Sequence, residues 1–71
     1  MNGELIAQNP PPYIRLHERS GEEFIVFCEH MTGLNRYLGG TNVFTVDTRE
    51  TPFWAVESPE EILSLIEEAY R

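Results

Sequence analysis

Ser58-Pro59-Glu60-Glu61 followed by Ile62 is the stretch that most narrows what this chain can become, because it writes the start of a helix almost without tertiary help. Ser58 can accept a hydrogen bond from the amide of Glu61 while the Glu61 carboxylate returns one to the amide of Ser58. Pro59 sits where an amide proton is not needed. Glu57, Glu60 and Glu61 crowd the positive end of the helix dipole. At ~100° per residue, Ile62, Leu63, Leu65, Ile66, Ala69 and Tyr70 fall on one side and Glu60, Ser64, Glu67 and Glu68 on the other. One face of this helix must be covered by whatever precedes it.

What precedes it is short. At 71 residues the chain makes one domain with a thin core, for which a net stability of roughly 3–5 kcal/mol is expected. The single cysteine, Cys28, forms no internal disulfide and suits a reducing compartment. No apolar run approaches the ~18 residues of a membrane span and the first residues lack the basic start of a signal peptide, so a cytoplasmic location is expected. The formal charge of -7 repels phosphate backbones and anionic membranes, which argues against direct nucleic-acid or membrane binding. All basic residues are arginines, and without lysine neither a Walker-type phosphate loop nor a Schiff base can form.

Residues 1–12 read as a flexible, proline-rich N-terminal arm: Leu5-Ile6-Ala7 is a small apolar knot and Pro10-Pro11-Pro12 favours polyproline II. Residues 13–71 form the domain. Ile14 and Leu16 alternate with Tyr13, Arg15 and His17 as a first strand, Ser20-Gly21 turns the chain, and Glu22 to Cys28 pairs back as a second. In that strand Phe24, Val26 and Cys28 make one apolar face, Ile25 and Phe27 another. The connection from His30 to Asn42 is rich in turn formers and admits two readings, one helical turn through Leu34, Tyr37 and Leu38 or a bent continuation of strand two. A third strand is expected from Val43 to Thr48 with Phe44 and Val46 inward, and a fourth over Phe53 to Val56 after Pro52. The predicted fold is therefore α+β: a four-stranded antiparallel β-meander, curled toward a half-barrel, with one C-terminal α-helix packed on one face.

Little here can do covalent chemistry. Cys28 and His30 are the best soft ligand pair, but no CxxC or second histidine pair completes a set, so neither a metal nor another cofactor is expected. Ser58 is explained as a cap together with Glu61, and Cys28 lies among core-type neighbours. The paired carboxylates Glu22-Glu23, Glu60-Glu61 and Glu67-Glu68 diverge on their elements and make a solvated charged face. No catalytic residues are assigned, and the chain is read as a non-enzyme.

The apolar surplus does demand an account, since one helix covers one face of a sheet. Tyr13, Ile25, Phe27 and Trp54 would lie on the other, either closed inside a barrel or meeting another molecule; Asn35, Arg36 and Tyr37 in the central connection add a contact surface.

The order of these parts resembles the small flagellar and swarming-motility proteins of the FlbD (SwrD) family. The likeness rests on Ile14-Arg15-Leu16, Ser20-Gly21-Glu22-Glu23-Phe24, Thr41-Asn42-Val43-Phe44-Thr45-Val46 and Val56-Glu57-Ser58-Pro59-Glu60-Glu61-Ile62, within a span from Ile14 to Ile66. The proline arm, the extra glycines and the turn Arg49-Glu50-Thr51-Pro52 depart from that family. The resemblance implies a non-enzymatic accessory protein with no catalytic residues to carry over. Two expectations follow: a bacterial or phage interaction module that binds a protein partner or self-associates through its apolar sheet face, or an acidic mimic of nucleic acid that inhibits a host defence or transcription protein through Glu57, Glu60, Glu61, Glu67 and Glu68.

Overall fold

The computed structural model describes residues 10–47 and 51–71, so the Leu5-Ile6-Ala7 knot and most of the Thr48-Arg49-Glu50-Thr51 connection lie outside the described residues. The chain is α+β, as expected, but the four-stranded meander is corrected to five strands in two antiparallel sheets. Strands β1 (Tyr13–His17) and β2 (Glu23–Phe27) form a hairpin; β3 (Met31–Tyr37), β4 (Gly40–Thr45) and β5 (Phe53–Ala55) form a sheet in that order; helix α1 (Pro59–Ala69) ends the fold. A single 3-10 turn over Cys28–His30 separates β2 from β3. It buries Cys28 and redirects the chain, so the bent-continuation reading of residues 30–42 is the one observed and the helical turn is not.

The hairpin follows its sequence closely. Ile14, Leu16 and Val26 point into the core while Arg15, Glu23 and Ile25 face out, with Ile14 opposite Val26 and Leu16 opposite Phe24. Gly21, at φ 94°, supplies the left-handed position the turn requires.

Strand β4 is where the expected facing is reversed. Thr41, Val43 and Thr45 are buried, Phe44 is half-buried and Val46 is 48% exposed. Two threonines inside are stable because their hydroxyls are used: Thr41 Oγ1 donates to the Glu57 carbonyl at 2.8 Å, and Thr45 Oγ1 accepts from the Asp47 amide at 3.3 Å. The strand also begins earlier than expected, because Tyr37-Leu38-Gly39-Gly40 is a two-residue hairpin in which both Leu38 (φ 49°) and Gly39 (φ 79°) are left-handed.

The helix forms as its cap dictates. The Glu61 amide donates to Ser58 Oγ at 3.1 Å and the Ser58 amide donates to Glu61 Oε1 at 3.0 Å, completing the reciprocal box. Its packed stripe is narrower than expected: Ile62 is fully buried and Leu65, Ile66 and Ala69 pack on the core, whereas Leu63 and Tyr70 are exposed. The i, i+3, i+4, i+7 series 62, 65, 66, 69 accounts for this, since Leu63 and Tyr70 each sit ~100° from its centre line. The helix lies against β1 and β3.

The two sheets share one core, built on Ile14, Leu16, Val26, Cys28, Val43, Ala55 and Ile62. Outside their own ladders the Val56 amide donates to the His17 carbonyl at 2.9 Å, tying the exit of β5 to the end of β1, while the Val46 amide donates to the His30 carbonyl at 2.9 Å and prolongs the β3–β4 ladder by one bond. No helix among the described residues is long and apolar enough to cross a membrane.

Candidate functional site

A groove of about 760 Å³ opens on the side that α1 does not line. Its apolar walls come from Ile25 and Phe27 of β2, Tyr37 and Leu38 at the β3–β4 tip, and Phe53 and Trp54 of β5. Ile25, Tyr37, Leu38 and Phe53 are each about half exposed or more, in a chain whose fully buried core is small. Such clustering differs from singly scattered surface apolar residues, which need no explanation.

The rings are held, not loose. Trp54 donates its indole N–H to the Tyr37 carbonyl at 2.8 Å, so its polar edge is satisfied and its apolar body remains as wall. The Arg19 guanidinium lies over the Trp54 ring at 4.9 Å from the centroid, a cation–π contact on the groove side. Gly40 clears the space behind: a Cβ there would stand 2.2 Å from the Ala55 carbonyl oxygen and 2.6 Å from the indole. Phe24 and Phe53, both in the lining, have ring centroids 5.9 Å apart, and Phe27 is braced by the rings of Tyr13 at 6.2 Å and His30 at 5.8 Å. Glu18 and Asp47 add two carboxylates to the lining; neither forms an ion pair among the described residues.

Of the seven contact residues expected from the sequence, the fold brings Ile25, Phe27, Tyr37 and Trp54 to this groove. Tyr13 stands behind Phe27 and opens instead onto a second hollow of about 470 Å³, between Pro10-Pro11-Pro12 and Leu65 of α1. Asn35 stands opposite Asn42, a lining residue, across the β3–β4 ladder but does not itself line the groove, and Arg36 pairs with Glu60 at the start of the helix. Phe53 and Leu38 were not among the expected contacts. For Leu38 the signal was present: a large apolar residue just before Gly39-Gly40 belongs to a tight hairpin tip, where it is forced outward.

Outside the groove, the candidate chemical groups have structural explanations. His17 and Glu57 are clamped together: the His17 amide donates to Glu57 Oε1 at 3.0 Å, and its ring Nδ1 is 2.6 Å from Oε2. The hydrogen bond to Glu57 raises the His17 pKa above its ordinary 6.5, outweighing desolvation, with the charges of Glu57 and Glu23 adding to it. On Glu57, burial pushes upward but the combined hydrogen bonds from the His17 ring and amide carry the pKa below its ordinary 4.5. Burial raises the Cys28 thiol, against a smaller opposing effect of its main-chain hydrogen bond, so it is poorly suited to attack. No cluster of three or more His, Cys, Asp or Glu side chains converges on one point among the described residues.

Compared with known proteins, the chain matches no family model, no curated protein and no solved structure.

Proposed function

We propose that this chain is a non-enzymatic protein-binding module whose groove between β2 and β5 receives a segment of another protein. The observation that carries this reading is the set of large apolar side chains, Ile25, Phe27, Tyr37, Leu38, Phe53 and Trp54, gathered on one concave surface and left accessible. Trp and Tyr with an apolar body and a satisfied polar edge are the residue types that anchor interfaces. A partner of different sequence is favoured over a second copy, because each copy carries a formal charge of -7. An accessory role of the FlbD kind, in which the protein acts by binding and not by catalysis, is one setting for such a module.

The acidic-mimic reading has weaker support. Three of its five carboxylates are engaged within the chain, Glu57 with His17, Glu60 with Arg36 and Glu67 with Arg71, while Glu61 closes the helix cap. Among the described residues that leaves one carboxylate of the five, Glu68, outside any such pairing.

A photo-crosslinking amino acid placed at Phe53 and, separately, at Leu63 tests the reading in the native cell. Both positions are exposed apolar sites, one in the groove and one on the helix. A discrete adduct with another protein from position 53 and none from 63 is expected. No adduct at 53, equal adducts at both positions, or an adduct of twice the chain's own mass would contradict it.

A further inference from the structure

We infer that the groove takes its ligand as an extra β-strand along the free edge of β2, and that this ligand is an extended segment, apolar at alternate positions and flanked by lysine or arginine. The inference rests on the groove being a binding site and adds how it binds and what it selects.

Four consecutive residues, Phe24, Ile25, Val26 and Phe27, line the groove. Alternate side chains of a strand point to opposite faces, so a groove touched by four in succession runs along the edge of the strand, not over one face. Among the described residues that edge is unpaired: β2 is bonded only to β1 in its sheet. The ladder also shows which groups it offers. Bonds from the Cys28 amide to the Pro12 carbonyl and from the Glu18 amide to the Glu22 carbonyl bracket the hairpin. By the alternation of antiparallel pairs, Ile14–Val26 and Leu16–Phe24 are the mutually bonded pairs between them. The main-chain N–H groups of Glu23, Ile25 and Phe27 and the C=O groups of Glu23 and Ile25 therefore point away from β1, while the Phe27 carbonyl, at the N-cap of the 3-10 turn, accepts that turn's first bond.

Edge strands normally guard themselves with charge, proline or a covering element. Here Ile25, at the middle of the edge, is an exposed apolar residue 52% open to solvent. An added strand would find main-chain donors at Ile25 and Phe27 and an acceptor at Ile25, with Phe53 and Trp54 of β5 lining the groove beside them for its alternate side chains. The charge of the lining sets the flanks. Among the described residues neither Glu18 nor Asp47 forms an ion pair, and the guanidinium that lines the groove there, Arg19, is engaged on the Trp54 face. With a formal charge of -7 over the chain, a basic segment is steered in and an acidic one is turned away.

The test uses the full chain and a random peptide library displayed on phage. Selected peptides are expected to alternate apolar with polar residues between basic flanks. A selected peptide should slow hydrogen exchange of the Ile25 and Phe27 amides roughly tenfold or more, and N-methylation at its alternate residues should weaken binding roughly tenfold. Ile25→Pro removes an edge donor that the β1–β2 ladder does not use, so it should keep the far-ultraviolet circular dichroism and lose the peptide. Should it unfold instead, the N-methylated peptide reads the same bonds from the ligand side. If peptides bind and Trp54→Ala releases them, but the β2 amides stay unprotected and N-methylation is harmless, strand addition is overturned while the groove remains a binding site. If no selected peptide is released by Trp54→Ala, the groove itself is overturned. A dimer that protects Ile25 and Phe27 without peptide would assign the edge to a second copy and overturn the basic-segment ligand.

Discussion

Glu57 grips His17 at two points, one oxygen on the main-chain amide at 3.0 Å and the other on the ring Nδ1 at 2.6 Å, although the residues are forty positions apart. Beside them the Val56 amide bonds the His17 carbonyl, so one short segment latches the end of β5 to the end of β1.

This latch gives stability a defined pH response. The folded-state pKa of His17 lies above 6.5, so its contribution is complete below 6.5 and is lost as pH rises through the raised value. The folded-state pKa of Glu57 lies below 4.5, so its contribution is present above 4.5 and is lost as pH falls through the lowered value. The pair therefore contributes most between these limits. Urea midpoints measured from pH 4.5 to well above 6.5 should decline on the alkaline side for the native chain. Glu57→Gln should flatten that decline; an unchanged slope would remove the latch from the account.

Gly40→Ala should destabilise the protein by about 2–3 kcal/mol, because its new Cβ meets backbone at the Ala55 carbonyl and cannot be relieved by a side-chain rotation. The indole of Trp54 must move as well, so the fluorescence maximum should shift together with the denaturation midpoint.

Leu38 holds a left-handed backbone with a large side chain, a costly choice for a hairpin tip that prefers asparagine or glycine. Leu38→Asn should raise stability by about 0.5–1 kcal/mol in a urea titration, while weakening any ligand seated in the groove that Leu38 lines. A change that stabilises the fold and costs binding would mark Leu38 as kept for contact and not for folding.

Ser58→Ala should cost about 1 kcal/mol through the lost cap, and Ile62→Ala about 2–5 kcal/mol through the cavity left at a fully buried site. Set against an expected net stability of roughly 3–5 kcal/mol, the second change should leave much of the chain unfolded in water, as read by circular dichroism.

The cap, the β1–β2 hairpin and the Ile62, Leu65, Ile66, Ala69 series of the helix were legible because each is decided by residues within a few positions of one another; Leu63 and Tyr70, expected on the same side, are exposed. Strand β4 was not. Phe44 and Val46 look like the inward pair on hydrophobicity alone. The burial of Thr41 instead depends on the Glu57 carbonyl sixteen residues away, a partner no local reading supplies. Strand β3 was hidden by its composition, since Gly33 and Asn35 suit turns and become strand only through pairing with Phe44 and Asn42. For the groove, the surplus of apolar residues pointed to Ile25, Phe27, Tyr37 and Trp54. Phe53 was missed because its exposure follows from how β5 is placed in space, whereas Leu38 was legible from the Gly39-Gly40 that follow it. Arg36 was expected at a contact surface, but it pairs with Glu60, the first glutamate of the helix.

The central claim is that binding runs through the apolar groove. The most direct measurement is the affinity of the protein captured at position 53 for the native chain and for Trp54→Ala, each at low and high salt. The account predicts a loss of roughly 30-fold or more on removing the indole, with a smaller dependence on salt. Equal affinity for the two chains, with binding that collapses as salt rises, would contradict it and assign recognition to the acidic surface.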